Sequence, residues 1–289
     1  MAAVPFERID AATPQAASAN AILIVDDIVK RFETPDGVLT AVDHVSLSVA
    51  PGEFVGVIGP SGCGKSTLFN VIGGLLDGYD GAVKVAGERV RGPHPAIGMI
   101  FQEESTFPWR NVLDNVAFPL EIAGLPRAER YDRARHFVKL VGLDGFERRY
   151  PAELSGGMRQ RVSMARTLAA QPKILLMDEP FAALDEQTRL LLGDKVLQIQ
   201  QQLKQTTLLI THNITEAVQL SDRIVVMTYR PGKVKRMVEI NLPRPRSSEI
   251  VSSEGFGRYV AQIWSDLREE ASRGLDDEES RKLHEGEKR

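Results

Sequence analysis

The chain has 289 residues, with 36 Lys and Arg against 39 Asp and Glu, so its formal net charge is −3 at pH 7. This length allows one large domain, or one domain with a small appendage. The balanced charge lacks the strongly basic character of most nucleic-acid-binding proteins, so we expect no nucleic acid as a partner. A single cysteine, Cys63, excludes an internal disulfide and a zinc site of several cysteines, and it favours a reducing, cytosolic setting.

No part of the sequence is predicted to cross a membrane. The longest charge-free stretch, residues 11–25, contains Pro14 and several polar residues, whereas a spanning helix needs about 20 mainly apolar residues. Glu7, Arg8 and Asp10 come before any apolar run, so we do not expect a secretory signal. If the protein acts at a membrane, another molecule must hold it there.

The first third of the chain is predicted to contain strands and one helix. Residues 1–20, rich in Ala, Pro, Ser and Gln without periodicity, are predicted to be a flexible lead-in. A glycine-rich loop is followed by a predicted helix over residues 65–76. Apolar runs predict strands at residues 21–25, 45–49, 54–58, 82–86 and 97–101.

The middle of the chain, residues 111–170, is predicted to be mainly helical, and strands return after it. Helices are expected at residues 186–204 and 213–220. The later strands are continuous apolar runs, which is typical of parallel strands buried on both faces; they span residues 174–177, 207–210 and 224–227. This order predicts an α/β core interrupted by a helical subdomain.

The end of the chain is predicted to hold one amphipathic helix and a charged tail. The helix covers residues 256–271, with Tyr259, Ile263, Trp264 and Leu267 expected on its apolar side. Residues 274–289 are mostly charged and polar, and we predict that they are disordered.

Residues 59–67, here called the phosphate loop, match the motif GxxxxGK[ST] between a predicted strand and a predicted helix. Its glycines let successive backbone N–H groups point at phosphates, and the helix adds its positive end. Lys65 is expected to reach the β- and γ-phosphates and Ser66 to ligate Mg²⁺, while Cys63 is interpreted as a space-filler. The predicted nucleotide-binding residues are Gly59, Pro60, Ser61, Gly62, Cys63, Gly64, Lys65, Ser66 and Thr67.

The predicted strand at residues 174–177 ends in two acids, Asp178 and Glu179. At the carboxyl end of a parallel strand, Asp178 can hold Mg²⁺ directly or through water. Glu179 would then lie beside the γ-phosphate, where it can orient and deprotonate a water molecule as a general base. A solvated strand end is the alternative for either acid alone, but the phosphate loop favours the nucleotide site.

Residues 154–161, here called the signature segment, read Leu-Ser-Gly-Gly-Met-Arg-Gln-Arg. Alone, this segment indicates only the start of a helix. The order of phosphate loop, signature segment and acidic strand end, however, resembles that of the ATP-binding cassette (ABC) ATPases over residues 22–246. The resemblance implies an α/β fold: a P-loop NTPase core of the ABC type with an antiparallel β part and a helical subdomain, about residues 103–170, that carries the signature.

The resemblance also assigns expected roles to residues outside these motifs. Phe32 stands where the family stacks an aromatic ring on adenine, although an ordinary core position is the alternative. Gln102 matches a glutamine that contacts Mg²⁺ and the attacking water, and His212 matches a histidine that contacts the γ-phosphate. The residues expected to act across a subunit interface are Ser155, Gly156, Gly157 and Asp185. Two positions depart from the common pattern, namely Met158 and Asn213.

One copy of each motif is present, so the resemblance implies a dimer in which the signature of one subunit closes over the nucleotide of the other. The partner would be a second copy of the chain or a paralogous ATPase subunit. Residues 102–116, 178–189 and 211–218 are similar to importers of the nitrate, sulfonate and taurine type. This implies an integral membrane permease, a solute-binding protein acting indirectly, a small anionic solute, and a peripheral position on the cytoplasmic face of the inner membrane.

Other functions remain open at this stage. An ABC ATPase that drives export is the main alternative within transport, and a soluble ABC ATPase of DNA maintenance or translation is another. A small-molecule kinase would share only the phosphate loop and would have no use for the signature segment. Phe107, Pro108 and Trp109 are expected near the groove for the permease, although internal packing is the alternative for them.

Overall fold

The computed structural model describes residues 20–286 except Asp36, Glu104 and Ala183, with side chains described up to Gly274. The predicted flexible lead-in therefore lies, up to residue 19, outside the described residues. None of the described helices is apolar over a length sufficient to span a bilayer.

The described strands, numbered along the chain, are β1 (Leu23–Thr34), β2 (Gly37–Val49), β3 (Phe54–Ile58), β4 (Tyr79–Val85), β5 (Glu88–Arg89), β6 (Ile97–Ile100), β7 (Ile174–Asp178), β8 (Thr206–Ile210), β9 (Arg223–Met227) and β10 (Val234–Glu239). The described α-helices are α1 (Lys65–Ile72), α2 (Val112–Ile122), α3 (Arg127–Leu140), α4 (Gly156–Ala169), α5 (Glu186–Leu203), α6 (Ile214–Leu220) and α7 (Glu254–Gly286).

The smaller sheet is antiparallel, with the strand order β2-β1-β4-β5. Strands β1 and β2 form a hairpin, and each strand is more than twice as long as the strand that the sequence predicts there, at residues 21–25 and 45–49. The pairing contains register shifts after Val25 and Ile28, and such irregularities interrupt the alternation of apolar and polar residues by which strands are recognised.

The larger sheet has the strand order β10-β9-β3-β8-β7-β6. Strands β9, β3, β8, β7 and β6 pair in parallel, and β3 and β8 are buried along their whole length. Only β10 runs antiparallel, at the edge. The sequence does not predict β10, because an edge strand tolerates charged residues such as Lys235 and Arg236 within it.

Three helices, α2 to α4, form a subdomain within the segment predicted to be helical. Their buried faces meet in one apolar cluster that includes Val116, Phe137, Val138, Val162 and Leu168. At the start of α2 the Asn111 side chain accepts a hydrogen bond from the Asp114 backbone N–H, at 2.8 Å. This contact fixes the start of the subdomain, because the first N–H groups of a helix have no partners within it.

Helix α7 packs along β9, β10 and α6. Phe256 and Ile263 are buried in the apolar cluster that includes Val226 and Val238. Trp264, predicted to share this apolar side, is instead 59% exposed, because it follows Ile263 and is therefore turned away from the buried stripe.

The backbone of α7 is helical through Gly286, whereas the sequence predicts disorder from residue 274 onward. Residues 275–286 contain Glu, Lys, Arg and Leu, which are charged or apolar but all favour helix. A high content of charged residues, from which the sequence predicts a disordered tail, is therefore compatible with a helix that continues to Gly286.

We expect Ile263→Ala to lower the free energy of unfolding by about 2–5 kcal/mol, because it leaves a cavity at a fully buried position. Trp264→Ala is the matched control and should change it by less than about 0.5 kcal/mol. Urea unfolding followed by circular dichroism measures both. Equal losses would contradict the packing described for α7.

Candidate functional site

The phosphate loop connects β3 to α1 and depends on glycines with positive φ. Gly62 has φ 71° and Gly64 has φ 100°, a region that other residues rarely adopt. A Cβ on Gly64 would lie 2.5 Å from the Ala41 carbonyl oxygen. The loop is thus held tightly against β2, which orders its backbone N–H groups.

The ammonium of Lys65 is buried inside this loop. Its Nζ donates to the carbonyl oxygens of Gly59, at 2.8 Å, and Pro60, at 2.9 Å. The Cys63 sulfur lies 3.9 Å from the same nitrogen. Burial raises the pKa of the Cys63 thiol, so the thiol stays protonated and fits the space-filling interpretation rather than a nucleophilic one.

Asp178, at the end of β7, faces the first turn of α1. Its Oδ1 accepts a hydrogen bond from the Ser66 hydroxyl at 3.3 Å. Burial is the main cause that raises the pKa of Asp178, and the neighbouring Glu179 charge adds to it, while Ser66 and Lys65 oppose the rise. A nearby cation would favour the charged form of this carboxyl.

The donor set at this point fits Mg²⁺ that arrives with phosphates. The described residues contain no cluster of three or more His, Cys, Asp or Glu side chains that could hold a metal alone. Ser66 and Asp178 supply two hard oxygen donors, and Mg²⁺ is commonly held by one or two protein oxygens together with phosphate oxygens and water.

Glu179 and His212 lie side by side beyond the ends of β7 and β8. The distance from His212 Nδ1 to Glu179 Oε2 is 2.9 Å. Glu179 has φ 45°, and its N–H donates to the Ile210 carbonyl at 2.9 Å. The sheet ladder therefore continues to Glu179, where the left-handed backbone turns the chain away. The pair is partly accessible, with the Glu179 side chain 20% and the His212 side chain 56% exposed.

A cavity of about 340 Å³ brings many of the predicted residues together. Phe32, Leu39 and Ala41 supply an apolar and aromatic part of its lining, while the phosphate loop and Glu179 supply a polar part. The loop residues that line it are Ser61, Gly62, Gly64, Lys65, Ser66 and Thr67. This combination suits a ligand that has both a flat ring and phosphates.

The cavity also contains residues that the sequence analysis did not include, among them Leu39, Ala41 and Arg230. Arg230 lies outside every motif on which the predicted site rests. A basic residue directly before a Pro-Gly turn, between two strands, is the signal that could have drawn attention to it. Gln102, in contrast, is exposed just after β6 and is not among the residues that line this cavity.

The signature residues line a second, larger cavity of about 720 Å³. Ser155 caps α4 by accepting from the Met158 N–H at 3.3 Å, and Asp185 caps α5 by accepting from the Thr188 N–H at 3.0 Å. The latter hydrogen bond is the main cause that lowers the pKa of Asp185. Gly156, Gly157 and two cations, Arg161 and Lys195, also line this cavity, which shares no lining residue with the first.

Glu216, in α6, is a buried acid near Glu179 that sequence reasoning missed. Its backbone N–H donates to Asn213 Oδ1 at 3.0 Å, and its Oε1 has no hydrogen-bond partner among the described residues. Burial raises the pKa of Glu216 to about 8, a rise to which the Glu179 charge adds and which Thr211 and Arg189 oppose. Glu216 is therefore mostly neutral at pH 7.

Residues 42–182 match the ABC transporter family. An uncharacterised ABC transporter ATP-binding protein of Methanocaldococcus jannaschii is 47% identical over 88% of this chain and 94% of its own. The aliphatic sulfonates import ATP-binding protein SsuB of Bacillus cereus is 42% identical over 82% and 94%. The nitrate import ATP-binding protein NrtD of a Synechocystis strain is 42% identical over 85% and 95%.

The fold has a close counterpart among solved structures. A dimeric structure of the ATP-binding cassette MJ0796, in a post-hydrolysis state bound to ADP and Pi, superposes with a TM-score of 0.67 at 30% identity. The match covers 76% of this chain and the whole of that one.

Glu216 is expected to make stability depend on pH. Since its carboxyl has an ordinary pKa of 4.5 when unfolded and about 8 when folded, the folded state keeps a proton that the unfolded state loses. The free energy of unfolding should therefore fall as pH rises through this window, by up to about 1.4 kcal/mol per pH unit. Glu216→Gln should remove this slope.

The measurement is urea unfolding at several pH values between about 5 and 8, comparing slopes rather than absolute stabilities. Glu33→Gln, at an exposed position in β1, is the control and should keep the wild-type slope. The same slope in wild type and Glu216→Gln would contradict a buried, neutral Glu216.

Proposed function

Since this chain belongs to the family of ABC transporter ATP-binding proteins, we propose that it is the ATP-hydrolysing subunit of an importer and that paired subunits drive a membrane permease. The observation that carries this proposal is one cavity in which an aromatic residue, a phosphate loop and the Glu179 carboxylate meet. The import function is supported by relatives that are themselves named for import of sulfonates and nitrate.

The cavity supports a defined placement of ATP. Phe32 would stack on adenine, and the backbone N–H groups of the phosphate loop would bind the phosphates. Lys65 has two of its three N–H donors on loop carbonyls and the third facing the Cys63 sulfur, and it would turn this third, weakly bound donor to a phosphate oxygen. Thr67, which also lines the cavity, adds a further hydroxyl group.

Ser66 and Asp178, together with Gln102, would hold Mg²⁺. When bound, this ion supplies positive charge that offsets the phosphate oxygens and stabilises charge that builds up during phosphoryl transfer. Gln102 would have to move toward the cavity, since it follows the adjacent strand β6 but lies exposed. Such a movement would link the phosphate site to the helical subdomain that begins after Gln102.

Glu179 would accept the proton of the attacking water. Its Oε2 is held by His212 Nδ1, and no described group is hydrogen-bonded to Oε1, which can therefore face the water. His212 keeps Nε2 for the γ-phosphate, so one imidazole would orient both the base and the reacting group. The positive φ of Glu179 fixes the direction in which the carboxylate leaves the sheet.

The two separate cavities support a working pair of subunits. Neither cavity alone has both the phosphate loop and the signature segment. In a two-fold arrangement, the cavity with Ser155, Gly156, Gly157 and Asp185 on one subunit would cover the ATP bound by the other. Arg161 and Lys195 line that cavity and would attract the phosphates. ATP would thus favour the closed pair, and hydrolysis would release it.

The surface of the helical subdomain supports a contact with the permease. Trp109 is 72% exposed, which is unusual for so large an apolar side chain. Phe107 behaves differently, since its ring packs edge-on against Phe118 at 4.7 Å. Internal packing is therefore the better interpretation for Phe107, and Trp109 is the candidate for contact with a membrane partner on the cytoplasmic side.

The proposed solute is a small oxyanion. Sulfonate and nitrate, named for two relatives, share negatively charged oxygens. Selection of the solute would lie with the permease and a solute-binding protein, since the cavities described on this chain fit nucleotide chemistry. Export is the weaker alternative, because the two relatives with named solutes described above are import proteins.

Glu179→Gln should keep ATP binding and lower the rate of ATP hydrolysis by about 10²–10⁴-fold, because the amide cannot accept a proton from water. Phosphate release measures the rate, and equilibrium binding of ATP measures the affinity. Glu186→Gln, an exposed acid in the first turn of α5, is the control and should hydrolyse ATP normally. Hydrolysis at the wild-type rate by Glu179→Gln would show that another group is the base.

Trp109→Asp should keep ATP binding but lose association with the permease, because a charge would replace the exposed apolar contact. The tagged chain is purified from detergent-solubilised membranes of its own host, and co-purifying multi-spanning proteins are identified by mass spectrometry. Trp264→Asp is the control, since Trp264 is also exposed but lies on α7. Wild type that captures only non-membrane partners would contradict the transport function while leaving the ATPase activity standing.

A further inference from the structure

The turn between β9 and β10 lies directly against the phosphate loop. Gly232 exchanges backbone hydrogen bonds with β2, donating to Ala41 O at 3.0 Å and accepting from Asp43 N at 3.0 Å. A Cβ on Gly232 would lie 2.1 Å from the Cys63 carbonyl oxygen. The turn therefore has no room to shift toward the loop. Its backbone is held in place, and this fixes where its side chains begin beside the phosphate-loop cavity.

Arg230 extends from this turn into the cavity wall. Its Nε donates to the Gly62 carbonyl oxygen at 2.9 Å, and its side chain lines the cavity together with Phe32 and Lys65. A guanidinium has five N–H donors, so most of them are left for a ligand after the contact with Gly62.

Arg230 differs from its neighbour Lys233 in having no acidic partner among the described side chains. Lys233, on the same turn, forms an ion pair with Asp43 at 2.8 Å. Arg230 has only the Gly62 carbonyl and, at 5.9 Å, the ring of Tyr229 as described partners. A guanidinium without a carboxylate partner in a phosphate site matches the planar, paired donors that phosphate oxygens prefer.

Helix α7 holds the residue next to Arg230. The Tyr229 N–H donates to Glu270 Oε2 at 2.9 Å, and Glu270 is only 1% exposed. Its other oxygen, Oε1, accepts from Lys235 Nζ at 2.8 Å. The Tyr229 ring packs so closely on α7 that a Cβ on Gly274 would lie 3.0 Å from it. The start of the turn is thus fixed from the side opposite the phosphate loop.

We propose that Arg230 binds the phosphates of ATP in this cavity and that α7 positions it through the contact of Glu270 with Tyr229. The proposal rests on the proposed function and extends it, because it assigns to the ATP site a residue outside the motifs that predicted the site. It also connects the C-terminal helix to nucleotide affinity without placing that helix in the cavity.

The first test compares the affinity of the full chain for MgATP in wild type, Arg230→Ala, Arg230→Lys and Arg230→Gln. Loss of a charged hydrogen bond predicts about tenfold weaker binding for the Ala and Gln variants, with partial recovery for Lys. Lys233→Ala is the matched control, since it removes a positive charge from the same turn outside the cavity. It should change the affinity by less than about twofold.

The salt dependence separates a phosphate contact from a merely structural role. Affinity for MgATP should fall more steeply with salt in wild type than in Arg230→Gln, because only wild type has the screened charge contact. If Arg230→Gln bound MgATP like wild type and with the same salt dependence, Arg230 would only brace Gly62 and the proposal would be wrong. Thermal unfolding without nucleotide checks that the variants remain folded.

The second test concerns the positioning by α7. Glu270→Ala should weaken MgATP binding about threefold or more, and much less so in the Arg230→Ala background, because the two residues act on the same contact. Glu269→Ala is a close control: Glu269 also pairs with Lys235 and Arg273, but its described partners do not include Tyr229. Equal effects of the two Glu variants, or full additivity with Arg230→Ala, would overturn the positioning role.

Lys65→Ala separates this inference from the proposed function. If wild type binds MgATP and Lys65→Ala does not, the ATP site stands, and an unchanged affinity in Arg230→Ala overturns only the role of Arg230. If wild type itself fails to bind MgATP, the proposed function is wrong and the role of Arg230 is overturned with it.

Discussion

The site depends on one hydrogen-bonded ladder, that of the parallel strands β3, β8, β7 and β6. Parallel pairing puts all four carboxyl ends at one edge of the sheet, and ligands of open α/β sheets bind at this edge. The phosphate loop, His212, the acidic pair and Gln102 each follow one of these ends. These segments are far apart in sequence, and the ladder brings Ser66 within hydrogen-bond distance of Asp178 and His212 within hydrogen-bond distance of Glu179.

Charge is distributed unevenly around this edge, and the distribution suits a ligand with phosphates. Lys65 is surrounded by carbonyl oxygens, and Arg230 has a carbonyl as its described hydrogen-bond partner. Burial disfavours the charged form of Asp178 and of Glu216, whose pKa values are raised. A ligand that carries both phosphates and a cation would compensate both groups. Its anionic oxygens would lie near the Lys65 ammonium, and its positive charge would lie near the buried Asp178 carboxyl.

The separation of the phosphate-loop cavity from the signature cavity limits what one copy can do. The phosphate-loop cavity contains the loop and the Glu179 carboxylate that we propose as the base, while the signature cavity contains helix caps and cations. Because Glu179 and the signature line different cavities on each chain, hydrolysis that needs both would depend on a partner. Nucleotide binding would then control the association of the two ATPase subunits. Through this coupling, a cycle of ATP binding and hydrolysis could move the permease subunits attached to them.

The sequence by itself determined the class of fold and the family, and it predicted the residues of the candidate site. The phosphate loop, Asp178, Glu179 and the apolar strands can be recognised locally, because each pattern consists of residues that are neighbours in the sequence. The sequence did not determine the long β1–β2 hairpin, β10, the exposed side of Trp264 or the buried Glu216. Those features arise from register shifts, edge pairing and packing between distant segments. Tertiary structure alone placed Arg230 at the loop, because its position is set by backbone contacts with β2 and α7, which no local pattern records.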